Sequence, residues 1–276
     1  MAVRSLLFLP ADRPAMAAKL RTIAPDVAVL DLEDAVATRA KHEARRTVET
    51  TLAEHDLGGL SVLLRVNPLG TPWFEDDLRV AADAGIGVVL PKYEKVSTAA
   101  RVREAIGDEL LVVGLETGRG VADCRELLQF GVDACYFGAE DYVADLGGRR
   151  TAGGSEVLWA RSRVVLAGRL AGVDTIDQAV VSVHDGDAFR VDADRGRDLG
   201  YHGKICLHPR QVEIAHEVFS PTEEEVAHAR RVLAEAGDAT GSGVGMVDGQ
   251  MVDEVHLKMA RATLARAGEE QQCASE

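Results

Sequence analysis

The sequence predicts a (β/α)8 barrel with a C-terminal helical extension. Two observations carry that prediction. Short runs of aliphatic and β-branched residues recur at even intervals, and most are continuous rather than alternating, as in strands buried on both faces of a parallel sheet. The segments between them carry mixed charged and apolar faces, as helices packed on such a sheet do.

The candidate strands are residues 4–10, 27–34, 61–67, 86–92, 109–117, 134–142, 175–183 and 203–209. The candidate helices are 13–23, 38–55, 74–84, 97–106, 119–130, 155–171, 187–199 and 209–219. Glycines follow several of them, for example Gly85, Gly107, Gly131, Gly172 and Gly200, as expected of helix C-caps. An open doubly wound sheet shares this alternation; the even count of eight favours closure. Residues 1–219 are therefore read as the barrel domain and 220–276 as the extension. Ser220-Pro221-Thr222-Glu223 combines an N-cap serine, a proline at the first helical position and a glutamate three residues after the cap. That helix is expected to reach Ala236; a glycine-rich loop over 237–249, a last helix over 252–267 and a disordered end over 268–276 follow.

Composition narrows the function classes. A chain of 276 residues with 46% apolar residues buries a sizeable core without disulfides or a structural metal, and with 4% aromatics that core is mainly Val, Leu, Ile and Ala. A net charge of −14 argues against a nucleic-acid footprint, but leaves room for a local cluster that binds a small anion. Cys124, Cys135, Cys206 and Cys273 have neither zinc-knuckle nor redox-pair spacing, which points to a reducing, cytoplasmic setting. The first apolar run is too short for a signal peptide, and no stretch approaches membrane-spanning length.

Barrel enzymes place their chemistry at the C-terminal ends of the strands. Here those ends read Pro10-Ala11-Asp12-Arg13-Pro14, Asp31-Leu32-Glu33-Asp34, Arg65-Val66-Asn67, Pro91-Lys92, Glu116-Thr117-Gly118, Gly138-Ala139-Glu140-Asp141 and His208-Pro209. Glu116 and Asp141 end adjacent strands beside glycines. Two such carboxylates suit Mg2+, which takes one or two protein carboxylates and completes its octahedron with water and substrate oxygens; alternatively both are structural acids that bond helix N-termini. Arg65 ends an apolar strand and must be paired or face the mouth, where its fork of donors would meet an anion or a developing enolate oxygen. An ion pair with Asp31 or Glu33 is compatible with that role. Lys92 reads either as a Schiff-base lysine or, more simply, as a salt bridge to an acid of the second strand. His208 is a substrate contact or part of a capped turn. Gly147-Gly148-Arg149-Arg150 is a basic loop that either meets phosphates or faces solvent.

Taken in order, these motifs, with Leu90-Pro91-Lys92, Ala144-Asp145-Leu146-Gly147, Leu207-His208-Pro209 and Gly249-Gln250-Met251-Val252-Asp253, resemble the citrate lyase beta subunit-like proteins of the HpcH/HpaI aldolase/citrate lyase family, over residues 4–265. The resemblance implies a barrel, usually a homotrimer, and a Mg2+-dependent carbon–carbon lyase. Its substrates would be a short 3-hydroxyacyl-CoA thioester, such as malyl-, citramalyl- or citryl-CoA, and the 2-keto acid it releases. It implies Glu116 and Asp141 as Mg2+ ligands and Arg65 as the contact to substrate and enolate. Arg13, Asp31, Glu33, Lys92 and His208 are its further candidates for substrate binding. Asp253 is implied as the acid/base, on a C-terminal segment that covers a neighbouring subunit's site; read alone, it is an ordinary helix N-cap. The family often has proline two residues after that aspartate, where this chain has Val255. Two other activities fit the resemblance: a malyl-CoA-type thioesterase, and the beta subunit of a multi-chain citrate lyase working on an acyl-carrier protein.

Overall fold

Eight parallel strands close into a barrel in sequence order: β1 (Ser5–Pro10), β2 (Val27–Asp31), β3 (Ser61–Arg65), β4 (Gly87–Leu90), β5 (Leu111–Leu115), β6 (Ala134–Phe137), β7 (Asp174–Asp177) and β8 (Gly203–Cys206), with β8 returning to pair with β1. The computed structural model describes residues 3–54, 57, 59–238 and 245–268. Strand burial is continuous in β2, β4, β5, β6 and β8, because helices cover the outer face while side chains fill the inside.

Alternation decides what enters the barrel. Leu6 and Phe8, Val27 and Val29, Leu63, Val89, Val112, Ala134 and Tyr136, Ile176 and Ile205 form one interior cluster. Fully burying a side chain of this size stabilises the fold by about 1.5–3 kcal/mol. Carried on with a period of two toward the C-terminal ends, the same inward series reaches Asp31, Arg65, Glu116 and Gly138. The polar mouth is thus the top layer of the barrel interior.

The β7–β8 seam has two residue pairs, Ile176 with Gly203 and Asp177 with Lys204. A buried ionic network reinforces it. Lys204 Nζ lies 2.6 Å from both Asp177 Oδ2 and Asp192 Oδ2, and Arg161 forks onto Asp177 at 2.8 and 2.6 Å. Every charge in it is paired, as burial requires.

The strands end sooner than the apolar runs suggest. Asp34, Asn67 and Thr117 lie beyond their strands. The sixth run breaks at Gly138, and Ala139–Asp145 is a helix, so Asp141 sits in a helical first turn. Residues 13–23 form two short helices, Pro14–Ala17 and Leu20–Ile23, and 119–130 divides into Gly118–Ala122 and Cys124–Leu127. Phe74–Ala84, Ser155–Ala171 and Pro209–Phe219 match the sequence expectation. Cys124, Cys135 and Cys206 are buried free thiols; Cys273 lies outside the described residues. Among the described residues, no helix is long and apolar enough to cross a membrane.

The chain folds as two compact units, Met1–Glu217 and Val218–Glu276. The second unit holds helix Glu223–Asp238, an antiparallel hairpin (β9, Gly245–Val247; β10, Gln250–Val252) and helix Glu254–Arg266, around Ala229, Val232, Val247, Val252, Ala260 and Leu264. Its first helix is capped by Thr222 rather than Ser220. The Glu225 N–H donates to Thr222 Oγ1 at 3.2 Å, and the Thr222 N–H to Glu225 Oε2 at 2.7 Å, a reciprocal box that begins two residues into the motif. The glycine-rich segment 237–249 contributes the end of that helix and the Asp248-Gly249 hairpin turn; its residues 239–244 lie outside the described residues, as do 269–276 of the expected disordered end.

Candidate active site

A cavity of about 480 Å3 opens at the C-terminal mouth of the barrel. Asp31, Arg65, Glu116, Tyr136 and Asp141 line it, with Phe8 below. Asp31 and Arg65 are paired neighbours on β2 and β3, and Arg65 Nε and Nη2 reach the Asp31 oxygens at 2.7 and 2.6 Å. Arg65 Nη1 lies 3.0 Å from Glu33 Oε2, an ion pair without the geometry of a hydrogen bond. The guanidinium also stands 4.9 Å above the Phe8 ring, a cation–π contact. Burial works against its charge, but the acids beside it hold Arg65 well above its ordinary pKa, so it stays cationic.

Lys92 takes a left-handed conformation, with φ at 50°, which is uncommon outside glycine and here serves two contacts. Its backbone N–H donates to Glu116 Oε1 at 2.7 Å, and its Nζ reaches Glu33 Oε1 at 2.6 Å and Asp141 Oδ1 at 3.7 Å. Of the two readings of Lys92, the structure supplies the salt bridge to an acid that follows the second strand. Burial lowers the ammonium's pKa, but the Glu33 and Asp141 carboxylates more than offset it and raise it above its usual value. A lysine held that firmly protonated is a poor Schiff-base nucleophile.

Glu116 is 1% exposed, and burial, with the neighbouring Glu33 charge adding to it, pushes its carboxyl up to about 7. Burial likewise raises Glu33. Four carboxylates (Asp31, Glu33, Glu116 and Asp141) thus face two cations (Arg65 and Lys92), which leaves two negative charges when all are ionised. A divalent cation would balance that excess. A Cβ at Gly138 would stand 2.5 Å from both Glu116 Cβ and Oε2, so the glycine makes the space in which Glu116 turns toward the Asp141 side of the mouth. Among the described residues, no three His, Cys, Asp or Glu side chains are placed to hold one metal ion between them. The donor set is the two-carboxylate kind that Mg2+ accepts.

The family model for HpcH/HpaI aldolase/citrate lyase matches residues 4–209. The chain belongs to that family. With it the chain belongs to the carbon–carbon lyases. It is 47% identical to a citrate lyase subunit beta-like protein of Deinococcus radiodurans, over 95% of this chain and 96% of the relative. It is 34% identical to a (3S)-malyl-CoA thioesterase of Cereibacter sphaeroides, over 96% of this chain and 94% of the relative. Among solved structures it resembles CitE of Mycobacterium tuberculosis in complex with magnesium, acetoacetate and coenzyme A, with 32% identity, a TM-score of 0.83, and coverage of 97% and 99% of the two chains. The HpcH/HpaI barrel expected from the motifs is therefore the fold observed.

Within this member of the family, Arg65, Asp31, Glu33, Lys92, Glu116 and Asp141 form one connected cluster. Arg13 is exposed and does not line the cavity. His208 is half-buried with its ring 5.3 Å from that of His184; its Nδ1 accepts from the Arg210 N–H, and its neighbour Leu207, rather than His208, lines the cavity. Asp253 lies in the second unit and caps helix Glu254–Arg266, accepting from the Val255 and His256 N–H groups, with His256 Nδ1 2.7 Å from its Oδ1. The His256 contact holds its carboxyl below the ordinary range. Sequence reasoning missed Phe8 and Tyr136, both inward-facing in apolar runs. Their signal was the alternation itself: two residues on from Ala134 and two before Gly138, position 136 must face the barrel axis.

Proposed function

We propose that this protein is a Mg2+-dependent lyase that cleaves, or in reverse forms, a short 3-hydroxyacyl thioester such as malyl-, citramalyl- or citryl-CoA. The observation that carries the reading is the charge imbalance at the mouth: two buried or half-buried cations among four carboxylates, with Glu116 and Asp141 lining the cavity. A neutral binding pocket has no use for such an arrangement, whereas a divalent cation plus an anionic acid does. The magnesium, acetoacetate and coenzyme A bound by the similar CitE, and the malyl-CoA on which the Cereibacter relative acts, support the same chemistry.

Glu116 and Asp141 would hold the cation. When bound, Mg2+ polarises the oxygens of the hydroxy acid as a Lewis acid, lowering the alcohol's pKa. The chain's own residues do the rest. In cleavage the bond between the acyl α-carbon and the carbinol carbon breaks, its electron pair passes to the thioester as an enolate, and the hydroxyl proton passes to the Asp253 carboxylate as the keto group forms. Arg65, fixed by Asp31 and Glu33, presents positive charge from a rigid position to the enolate oxygen. Lys92 orients Glu116 through its N–H and Glu33 through its ammonium. Asp253 protonates the enolate carbon in cleavage and removes a proton from the acyl methyl in condensation. We assign it to a neighbouring subunit's site in a homotrimer, with residues 220–276 as the lid.

The deciding experiment offers malyl-, citramalyl- and citryl-CoA to the purified protein with Mg2+ and follows keto acid and free thiol separately. Keto acid without thiol supports the lyase. Thiol without keto acid moves the assignment to hydrolysis, the second reading, which the 34% identity to a (3S)-malyl-CoA thioesterase favours. Neither product from any of them would overturn the coenzyme A substrate and direct the search to an acyl-carrier protein.

A further inference from the structure

Beneath the cluster, one polar atom is unaccounted for. The Tyr136 hydroxyl is buried without a hydrogen-bond partner among the described residues. A buried hydroxyl left unpaired is costly, and native proteins keep such groups where they do something. Tyr136 is held there by its surroundings. Its ring packs edge-on against Phe8, centroids 6.2 Å apart. Its strand partner is Gly114, and a Cβ on Gly114 would run into the Tyr136 hydroxyl and Cζ while lying 3.0 Å from Glu116 Oε1. The missing side chain at 114 is thus the space that brings a phenol up beside the Glu116 carboxylate. Glu116 is the acceptor it faces. Burial, with the Glu116 charge next, keeps the phenol well above its ordinary pKa, so it stays protonated and has a proton to donate.

We infer that Tyr136 is a positioning residue for Glu116: with the Lys92 N–H it holds Oε1 from below and behind, leaving Oε2, which faces Gly138, as the oxygen offered to a divalent cation. This rests on the proposal that Glu116 is a metal ligand. Groups that orient a ligating carboxylate commonly carry a tenfold or larger share of metal affinity without touching the metal. Tyr136 acts through Glu116.

The test is titration of the full-length protein with Mg2+ alone, by calorimetry, for wild type, Tyr136→Phe and Glu116→Gln, with melting temperatures in parallel. Wild type is expected to bind Mg2+ and Glu116→Gln to lose it. Tyr136→Phe should bind about tenfold more weakly, with a melting temperature close to that of wild type, because the ring and its packing against Phe8 are kept. The Mg2+ concentration needed for half-maximal turnover should rise with it; a merely structural tyrosine would not move that requirement. Unchanged Mg2+ affinity in Tyr136→Phe, with binding lost in Glu116→Gln, overturns the role of Tyr136 alone. Unchanged affinity in both variants overturns the metal site, and this inference with it.

Discussion

Arg65 and Asp31 meet in a two-point fork, Nε to Oδ1 at 2.7 Å and Nη2 to Oδ2 at 2.6 Å, from positions directly paired across β2 and β3. Asp31 is in turn fixed by the N–H groups of Glu33 and Ala35 at 2.8 and 3.2 Å. The guanidinium is therefore a rigid part of the barrel at the wall of the cavity. Rigidity of this kind is what electrostatic stabilisation of a developing charge needs, since no reorganisation is required during the reaction.

Replacing Arg65 should therefore act twice. Arg65→Ala leaves Asp31 buried without its counter-ion, which costs about 3–5 kcal/mol of stability. Arg65→Lys should keep more of the stability yet lose about a hundredfold or more in kcat, because an ammonium cannot reproduce the fork while also facing the cavity. Melting curves and turnover on the same preparations separate the two effects. A fully active Arg65→Lys enzyme would show that the fork is structural only.

Glu116→Gln and Asp141→Asn should each abolish metal-dependent turnover, by about a thousandfold, with circular dichroism unchanged. Glu116→Gln removes a group already held partly neutral, so the fold should tolerate it. Full activity of wild type in excess EDTA would remove the metal from the mechanism.

The raised pKa of Glu116 sets a pH dependence whose sign can be worked out. Its folded value, about 7, lies above the ordinary carboxylate range, so the metal-free fold prefers the protonated form. Metal-free stability should fall as pH rises from the ordinary range through 7, where the fold must hold an ionised buried carboxylate. Mg2+ needs the ionised form, so its stabilising effect should grow over the same window and vanish in Glu116→Gln. Thermal melts from pH 5 to 8, with and without Mg2+, read both trends. A Mg2+ shift independent of pH would place the cation on other ligands.

Gly138→Ala should be damaging out of proportion to one methyl group. The added carbon would stand 2.5 Å from Glu116 Cβ and Oε2, and Glu116 is packed too closely to retreat. We expect a drop in Mg2+ affinity of about tenfold or more and a loss of activity that extra Mg2+ only partly restores. Near-wild-type binding would mean that Glu116 has a second usable rotamer.

The lid assignment is checked by mixing. Asp253→Asn and Glu116→Gln proteins, each inactive, should regain up to roughly a quarter of wild-type activity when dissociated and reassembled as random trimers. No recovery, with subunit exchange demonstrated, would confine Asp253 and Glu116 to one chain.

By itself the sequence determined parallel strands under helices, because continuous aliphatic runs separated by two-faced segments bury their surfaces that way, and the count of eight favoured closure; the pairing of β8 with β1 decided it. The sequence also determined the order of the polar residues along the rim: Arg65, Glu116 and the Asp31-Leu32-Glu33 run are each legible as charges placed where an apolar strand stops. Only the tertiary structure decided who meets whom. Lys92 pairs with Glu33 through a left-handed backbone that no spacing announces, and Asp141 belongs to a helical turn because the chain breaks at Gly138. Tyr136 reads in one dimension as an ordinary core residue; its hydroxyl comes up beside Glu116 only because β5 and β6 pair Gly114 with it. The physical reason is that alternation along a strand is local and visible in sequence. Register between strands, and the balance of charge it assembles, exists only once the barrel has closed.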